Sequence, residues 1–282
     1  MFFEYTNALG SVVMDGSRGS QISITHVEGL GVCEREYTAA VFAGYDGQET
    51  VASRALPRCI TLGAELWGSD ISQNIGSILR ILSQPGYLYL GEESPEKRIY
   101  CNQVRIPDPA RIIKNRLTTL VLQFVCDNPF FQDAKRSVCA LYNRSLELST
   151  PFTLPKVFGR TQTKTLVENK GDIAAEPQIR IVCSKELTGA QGIKIRNLTT
   201  GKEIGLSCTS REGEEITIDV ENRKVYSSVD GNMLACLTDD TFLGDFIIAP
   251  GENHITMTVG DFTSGFTVEC SFYSLYSEAV MV

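Results

Sequence analysis

Proton transfer near neutral pH calls for an imidazole, and this chain has only two histidines, His26 and His254. Any Ser–His–Asp or Cys–His scheme would have to use one of them. His26 follows the alternating run Gln21-Ile22-Ser23-Ile24-Thr25 and could face Cys33 or Cys59, while His254 follows the Pro250-Gly251 turn. Both read as surface or strand-end histidines, because catalysis demands a tuned pKa and a tuned geometry together. A glycosidase pair needs two carboxylates at a set separation, which sequence does not supply. Glu92-Glu93, Glu214-Glu215 and Asp239-Asp240 read as solvated turn charges. Asp230, Asp239, Asp240 and Asp245 could together hold calcium, but their spacing matches no loop built for it. Gly29-x-Gly31 lacks a third glycine and runs into Val32-Cys33-Glu34 rather than a helix, so it is no phosphate cradle. Tyr37, Phe42, Tyr45 and Trp67 could stack on a sugar, yet dispersed aromatics read as core. No catalytic, cofactor-binding or metal-binding residue is assigned.

Nine cysteines, at 33, 59, 101, 126, 139, 183, 208, 236 and 270, include no C-x-x-C and no two closer than thirteen positions. A metal ribbon needs clustered ligands, so that chemistry is excluded. Most lie in apolar or alternating runs such as Phe124-Val125-Cys126 and Val268-Glu269-Cys270, where a thiol acts as a small hydrophobe. An odd number of such thiols points to synthesis in a reducing cytoplasm. Met1-Phe2-Phe3-Glu4-Tyr5 shows no signal-peptide pattern, and no apolar run nears the roughly 18–20 residues of a membrane span. The Asn-x-Ser/Thr triplets at Asn143 and Asn197 are then chance matches.

The elements that would position these residues are mostly strands. The 282 residues are 43% hydrophobic and 21% charged, the composition of a folded protein with one large or two medium domains. The net charge of −8 disfavours nucleic-acid binding. It is unevenly placed: residues 1–145 hold 14 Lys/Arg against 15 Asp/Glu, the rest 12 against 19. Period-two runs at 21–25, 87–90, 98–100 and 117–125 read as strands, and the alternation tightens after residue 160, for example in Glu215-Ile216-Thr217-Ile218-Asp219-Val220. Turn signals every 8–12 residues or so indicate antiparallel sandwiches. One segment differs: Ile71, Ile75, Ile78, Leu79 and Leu82 form a helical stripe, capped by Ser69 or Asp70 and ended by Pro85-Gly86. The stretch from Asp127 to Arg160, with Pro129, Pro151, Pro155 and Gly159, reads as a connection. Domains of 1–150 and 151–282 follow, and the placement of a last strand near Phe272 to Tyr276 is left open, including a return to the first domain.

The order of features resembles the distal tail proteins of long-tailed, siphovirus-type bacteriophages. The matching pieces of the first half are Leu56-Pro57-Arg58-Cys59-Ile60-Thr61-Leu62-Gly63, the helix through Ile78-Leu79-Arg80-Ile81-Leu82, and Leu120 to Phe130 with its Asp127-Asn128-Pro129 junction. Those of the second half are Asn169-Lys170-Gly171, Glu176-Pro177-Gln178-Ile179, Ile218-Asp219 and Pro250-Gly251-Glu252-Asn253.

The resemblance implies a tail-tube-like amino-terminal β-sandwich or barrel with one helix, closing as a homohexameric ring, and a galectin-like carboxy-terminal β-sandwich. It implies a structural baseplate or tail-tip component of the virion, assembled in the host cytoplasm, without enzymatic activity or cofactor. Its partners would be the tail tube protein, a tail-tip hub or tail-associated lysin-type protein, the tape measure protein and a receptor-binding protein, with DNA only in transit. Arg105, Arg111, Lys114, Arg116, Lys135 and Arg136 would then serve subunit contacts or remain solvated surface charges. Two other readings stay open at this point: a carbohydrate-binding module and a wall hydrolase.

Overall fold

The computed structural model describes residues 1–15, 22–44, 46–67, 71–107, 111–113, 117–145, 160–162, 164–184, 186, 192–259 and 266–279. The chain divides into two compact units: Met1–Lys135 together with Tyr276–Val282, and Arg136–Leu275. The division at 135/136 falls earlier than the limit of 150 read from sequence, and residues 146–159 of the expected connection lie outside the described residues.

Unit 1 is built on two sheets. One runs Gly10–Val13, Phe2–Asn7, Gly86–Gly91, Lys97–Cys101, Phe131–Asp133, with the two-residue strand Leu275–Tyr276 at its edge. The other runs Arg111–Ile113, Leu117–Cys126, Arg58–Trp67, Ile22–Glu28, with Gln103–Arg105 also on Leu117–Cys126. Alternation decides which residues meet. Ile60, Leu62 and Ala64 stand opposite Phe124, Leu122 and Leu120 on one face, and all six are buried with Phe3, Tyr5, Leu88, Leu90 and Ile99 of the first sheet. Among the described residues neither sheet closes on itself, so the sandwich stands and the barrel does not.

The helix spans Ile71–Leu82, where the apolar stripe placed it. Ile75, Ile78 and Ile81 pack on the unit 1 core and Leu82 is buried in it. The last carbonyls of a helix lack internal partners. Here Asn7 Nδ2 donates to Ile81 O at 2.6 Å, and Tyr5 Oη donates to Gln84 O at 2.5 Å just beyond the last turn. The expected caps Ser69 and Asp70 lie outside the described residues.

Unit 2 is a second antiparallel sandwich. Its seven-stranded sheet runs Arg160–Gln162, Ser137–Ser145, Phe266–Phe272, Gln178–Cys183, Glu215–Asp219, Lys224–Ser227, Gly231–Asn232. Its four-stranded sheet runs Lys164–Asn169, Gly251–Val259, Ile193–Asn197, Lys202–Leu206. Ile179, Ile181, Ile216, Ile218 and Val268 of one meet Val167, Ile195, Ile204 and Ile255 of the other in an apolar core.

All nine cysteines are free, and Cys59 alone is exposed. Burial pushes the thiols of Cys101, Cys183 and Cys270 up, and that of Cys208 up to about 12. A neutral thiol favoured only in the folded state costs nothing below the unfolded thiol's pKa. Above about pH 8.5 the unfolded chain ionises first, and each such thiol withdraws up to about 1.4 kcal/mol of stability per pH unit. Denaturant midpoints are therefore expected to hold from pH 7 to 8 and to fall steeply from pH 9 to 10.5. A flat profile across that range would contradict this account of the buried thiols.

Candidate functional site

The residues that could have done acid–base or metal chemistry do not converge. The exposed His26 ring pairs with Glu28 Oε1 at 2.9 Å, not with Cys33 or Cys59. His254 lies exposed on its strand opposite Leu166. Asp230 pairs with Arg211 at 3.5 Å and Asp245 with Lys202 at 2.7 Å, and no group of metal-ligating side chains occurs among the described residues. Glu215 is a half-exposed partner of Arg180, with two hydrogen bonds of 2.6 Å that pull its carboxyl pKa down. Glu214, expected in solvent, is fully buried instead. Its carboxylate accepts from Arg211 N at 2.7 Å and from Ser227 Oγ, closing the turn that leads into the strand. Glu214 ends that turn and is buried, whereas Glu215 opens the strand and pairs with the exposed Arg180. Asn197 is likewise buried with its amide bonded, which suits no glycan acceptor.

What the structure does build, in unit 1, is a cation enclosed by carbonyls. Period two puts Arg58 on the same face of its strand as Ile60 and Leu62, and it is 7% exposed. Its Nε donates to Pro129 O at 2.8 Å, Nη1 to Gly29 O and Gly31 O at 2.6 Å each, and Nη2 to Ser277 O at 2.5 Å. The Phe131 ring lies 4.6 Å beneath the guanidinium. Five donors in a fixed fork can engage several carbonyls at once, and a ring face adds attraction for the cation. Burial pulls the Arg58 pKa down. The Gly29-x-Gly31 pair is thus an acceptor cradle for arginine. At Gly29, φ is +88°, and a Cβ would sit 2.3 Å from Cys59 O, so only glycine fits. The sequence signal for this clasp is an arginine in phase with buried residues.

Between Cys33 and Arg58 the chain leaves the sandwich as a two-stranded ribbon, Arg35–Ala40 against Glu49–Ala55. Leu56 N to Glu34 O, at 2.8 Å, closes its base, and Arg54 bonds Glu36 across it at 2.6 Å. No third strand joins it among the described residues. Tyr37 (63%), Val41 (75%), Phe42 (53%) and Val51 (66%) are exposed on this arm, so Tyr37 and Phe42 are not core as the sequence suggested. Tyr45 lies outside the described residues, as does the side chain of Trp67. A lone hairpin is marginal in water, and open edges with exposed apolar side chains mark an association surface. The overlooked signal was a glycine-flanked tip, Gly44 to Gly47, between two β-prone runs.

Of the basic residues singled out, Arg105 bonds Gln103 at 3.1 Å, and Arg136 bonds Gln178 at 2.5 Å and lies 5.0 Å from the Tyr273 ring. Lys135 is exposed; Lys114, Arg116 and the side chain of Arg111 are outside the described residues.

In unit 2 three buried amides hold one loop. Asn253 Oδ1 accepts from Ala249 N at 2.9 Å and from Asn197 Nδ2 at 3.1 Å, while its Nδ2 donates to Ala249 O and Gly251 O. Asn197 Nδ2 also donates to Ile247 O, and Asn169 Nδ2 to Ile248 O and Ile173 O. Asn169 Oδ1 accepts from Gly171 N, and a Cβ at Gly171 would strike Leu275 O at 2.2 Å. The Asn-x-Gly and Pro-Gly-x-Asn signatures are therefore two ends of one network.

Residues 170–272 match the family model of the siphovirus-type tail component, C-terminal domain. No curated protein matches the sequence. Among solved structures, the Dit protein of phage SPP1, described as a paradigm of the hub adsorption apparatus in phages infecting Gram-positive hosts, is similar with a TM-score of 0.66 and 14% identity. That likeness covers 96% of this chain and 98% of that one. A chain of the phage P2 baseplate in its activated conformation with calcium is similar with a TM-score of 0.54 and 12% identity, over 100% and 99% of the two chains. Residues 170–272 are thus similar to the C-terminal domain of siphovirus-type tail components, and over 96% of its length the chain shares the fold of the Dit protein of phage SPP1.

Proposed function

We propose that the protein is a structural, non-enzymatic hub of a phage tail tip, in which unit 1 closes as a hexameric ring and unit 2, as a galectin-like sandwich, presents surface to neighbouring components. The family match at residues 170–272 carries this reading. The tail tube and tape measure proteins, a tail-tip hub or lysin-type protein and a receptor-binding protein are the partners it assigns. The virion tail tip is the location, after assembly in the host cytoplasm. A head-to-tail contact that closes makes a ring, and the arm supplies such a contact: apolar side chains on a ribbon with free edges on both sides.

DNA would be in transit only: the net charge of −8 disfavours lasting phosphate binding, since lysine and arginine hold phosphates through counterion release. On the outward face of the sheet that holds Arg58–Trp67 and Leu117–Cys126, Thr61, Gly63, Glu65, Thr119, Val121 and Gln123 alternate with the buried residues, and Arg105 and Arg111 stand opposite Gln123 and Thr119.

Light scattering on the eluting protein and negative-stain imaging test the reading: six copies and a central hole are expected. A strict monomer at high concentration, with no rings, would refute it. Val41→Asp combined with Phe42→Asp is expected to weaken self-association by at least about a hundredfold, since each buried side chain of this size contributes about 1.5–3 kcal/mol. The thermal transition of the separated subunit should stay in place. Rings that persist undiminished in that variant would remove the arm from the interface.

A further inference from the structure

The chain returns to unit 1 at its far end, and it returns to the base of the arm. Ser277 O accepts from Arg58 Nη2 at 2.5 Å and from Cys33 N at 3.2 Å, and Ala279 N donates to Leu30 O at 2.9 Å. Lys97 Nζ lies 4.0 Å from the Tyr276 ring centroid and 3.5 Å from Glu278 O. Ala279 is buried in the core of unit 1, and Tyr276 packs against that core. Leu30 and Cys33 immediately precede the arm, and Arg58 follows it within three residues of Ala55. The segment Tyr276–Ala279 therefore ties together the two points from which the arm emerges. All of Arg136–Leu275 is synthesised before this segment, a delay on the order of ten seconds at ribosomal rates.

We propose that Tyr276–Ala279 is a latch that withholds self-association until this segment has been synthesised and has docked. Until it docks, Arg58 lacks one of its four carbonyl acceptors, Leu30 O and Cys33 N lack their partners, and the arm has no fixed base from which to meet a neighbour. Nascent chains crowded on one message would thereby be kept from joining through copies that do not yet carry this segment. What is withheld rests on the ring reading above; that the latch completes unit 1 does not.

The test compares the full chain, a chain ending at Leu275, and the full chain carrying Arg58→Lys. The sole tryptophan, Trp67, lies in unit 1, so its fluorescence follows that unit while light scattering follows association. Ending at Leu275 is expected to lower the tryptophan midpoint by about 10 °C and to abolish association. A synthetic peptide of residues 273–282 should restore both. Arg58→Lys, which keeps the charge and loses the fork, should lower the midpoint and weaken association together. A shortened chain that keeps its midpoint, or that loses midpoint yet still associates, overturns the latch. If the shortened chain is insoluble, an Arg58→Lys protein with unchanged midpoint and association overturns it. A full chain that never associates would refute the ring, and the tryptophan midpoints would still decide whether the segment completes unit 1.

Discussion

Arg58→Ala is expected to destabilise unit 1 by about 3–5 kcal/mol, close to the whole stability margin of a domain of this size. The loss has two parts. Carbonyls of Gly29, Gly31, Pro129 and Ser277 lose their donor, and each buried group left unpaired costs about 1–3 kcal/mol unless water reaches it. The space over Phe131 also empties. The tryptophan-detected denaturant midpoint should fall while the transition of unit 2 stays in place, because every partner of Arg58 belongs to unit 1. A drop of less than about 1 kcal/mol would show that the four bonds offset little more than the cost of burying the charge.

The second large effect is expected in unit 2. Asn253 offers two donors and two lone-pair directions, and all four are used. Asn253→Asp keeps the shape and reverses half of the chemistry: an ionised carboxylate has no donors, yet it would face Ala249 O and Gly251 O in a fully buried site. A penalty of about 3–5 kcal/mol is expected at neutral pH. Its sign with pH separates it from a packing defect. The new carboxyl has its folded pKa raised by burial and by the two facing carbonyls, so the penalty is full above that raised value. It shrinks as pH falls toward the unfolded carboxyl's range near 4, where a protonated group again carries a donor. Denaturant midpoints of the variant should therefore approach those of the parent as the pH is lowered from 7 to 5. Asn253→Ala, also destabilising, should show no such convergence, and a variant carboxylate with a parallel pH profile would refute the assignment of its donors.

These two side chains show how far the order of residues reaches. The strands around Ile60, Leu122, Ile181 and Ile218, and the helix Ile71–Leu82, were legible because burial of one face imposes a period of two or about 3.6 on neighbouring residues, a local property. The turn signatures at Asn169-x-Gly171 and Pro250-Gly251-x-Asn253 were also visible, and their succession pointed to the family. Which polar residues would be buried was not. Glu214 and Glu215 are chemically alike, and only the fold sends one to Ser227 and the other to Arg180. Tyr37 and Phe42 read as core by composition, and the fold leaves them on an arm.

By itself the sequence determined that this is a β protein with one helix, with no clustered ligands and an acidic second half. The tertiary structure alone decided that Arg58 would sit among Gly29, Gly31, Pro129 and Ser277, partners from three separate stretches of the chain. The reason is physical. Periodicity records which face of an element meets the core, whereas a buried cation is tolerated only where distant backbone carbonyls converge, and that convergence exists only once the chain has closed on itself.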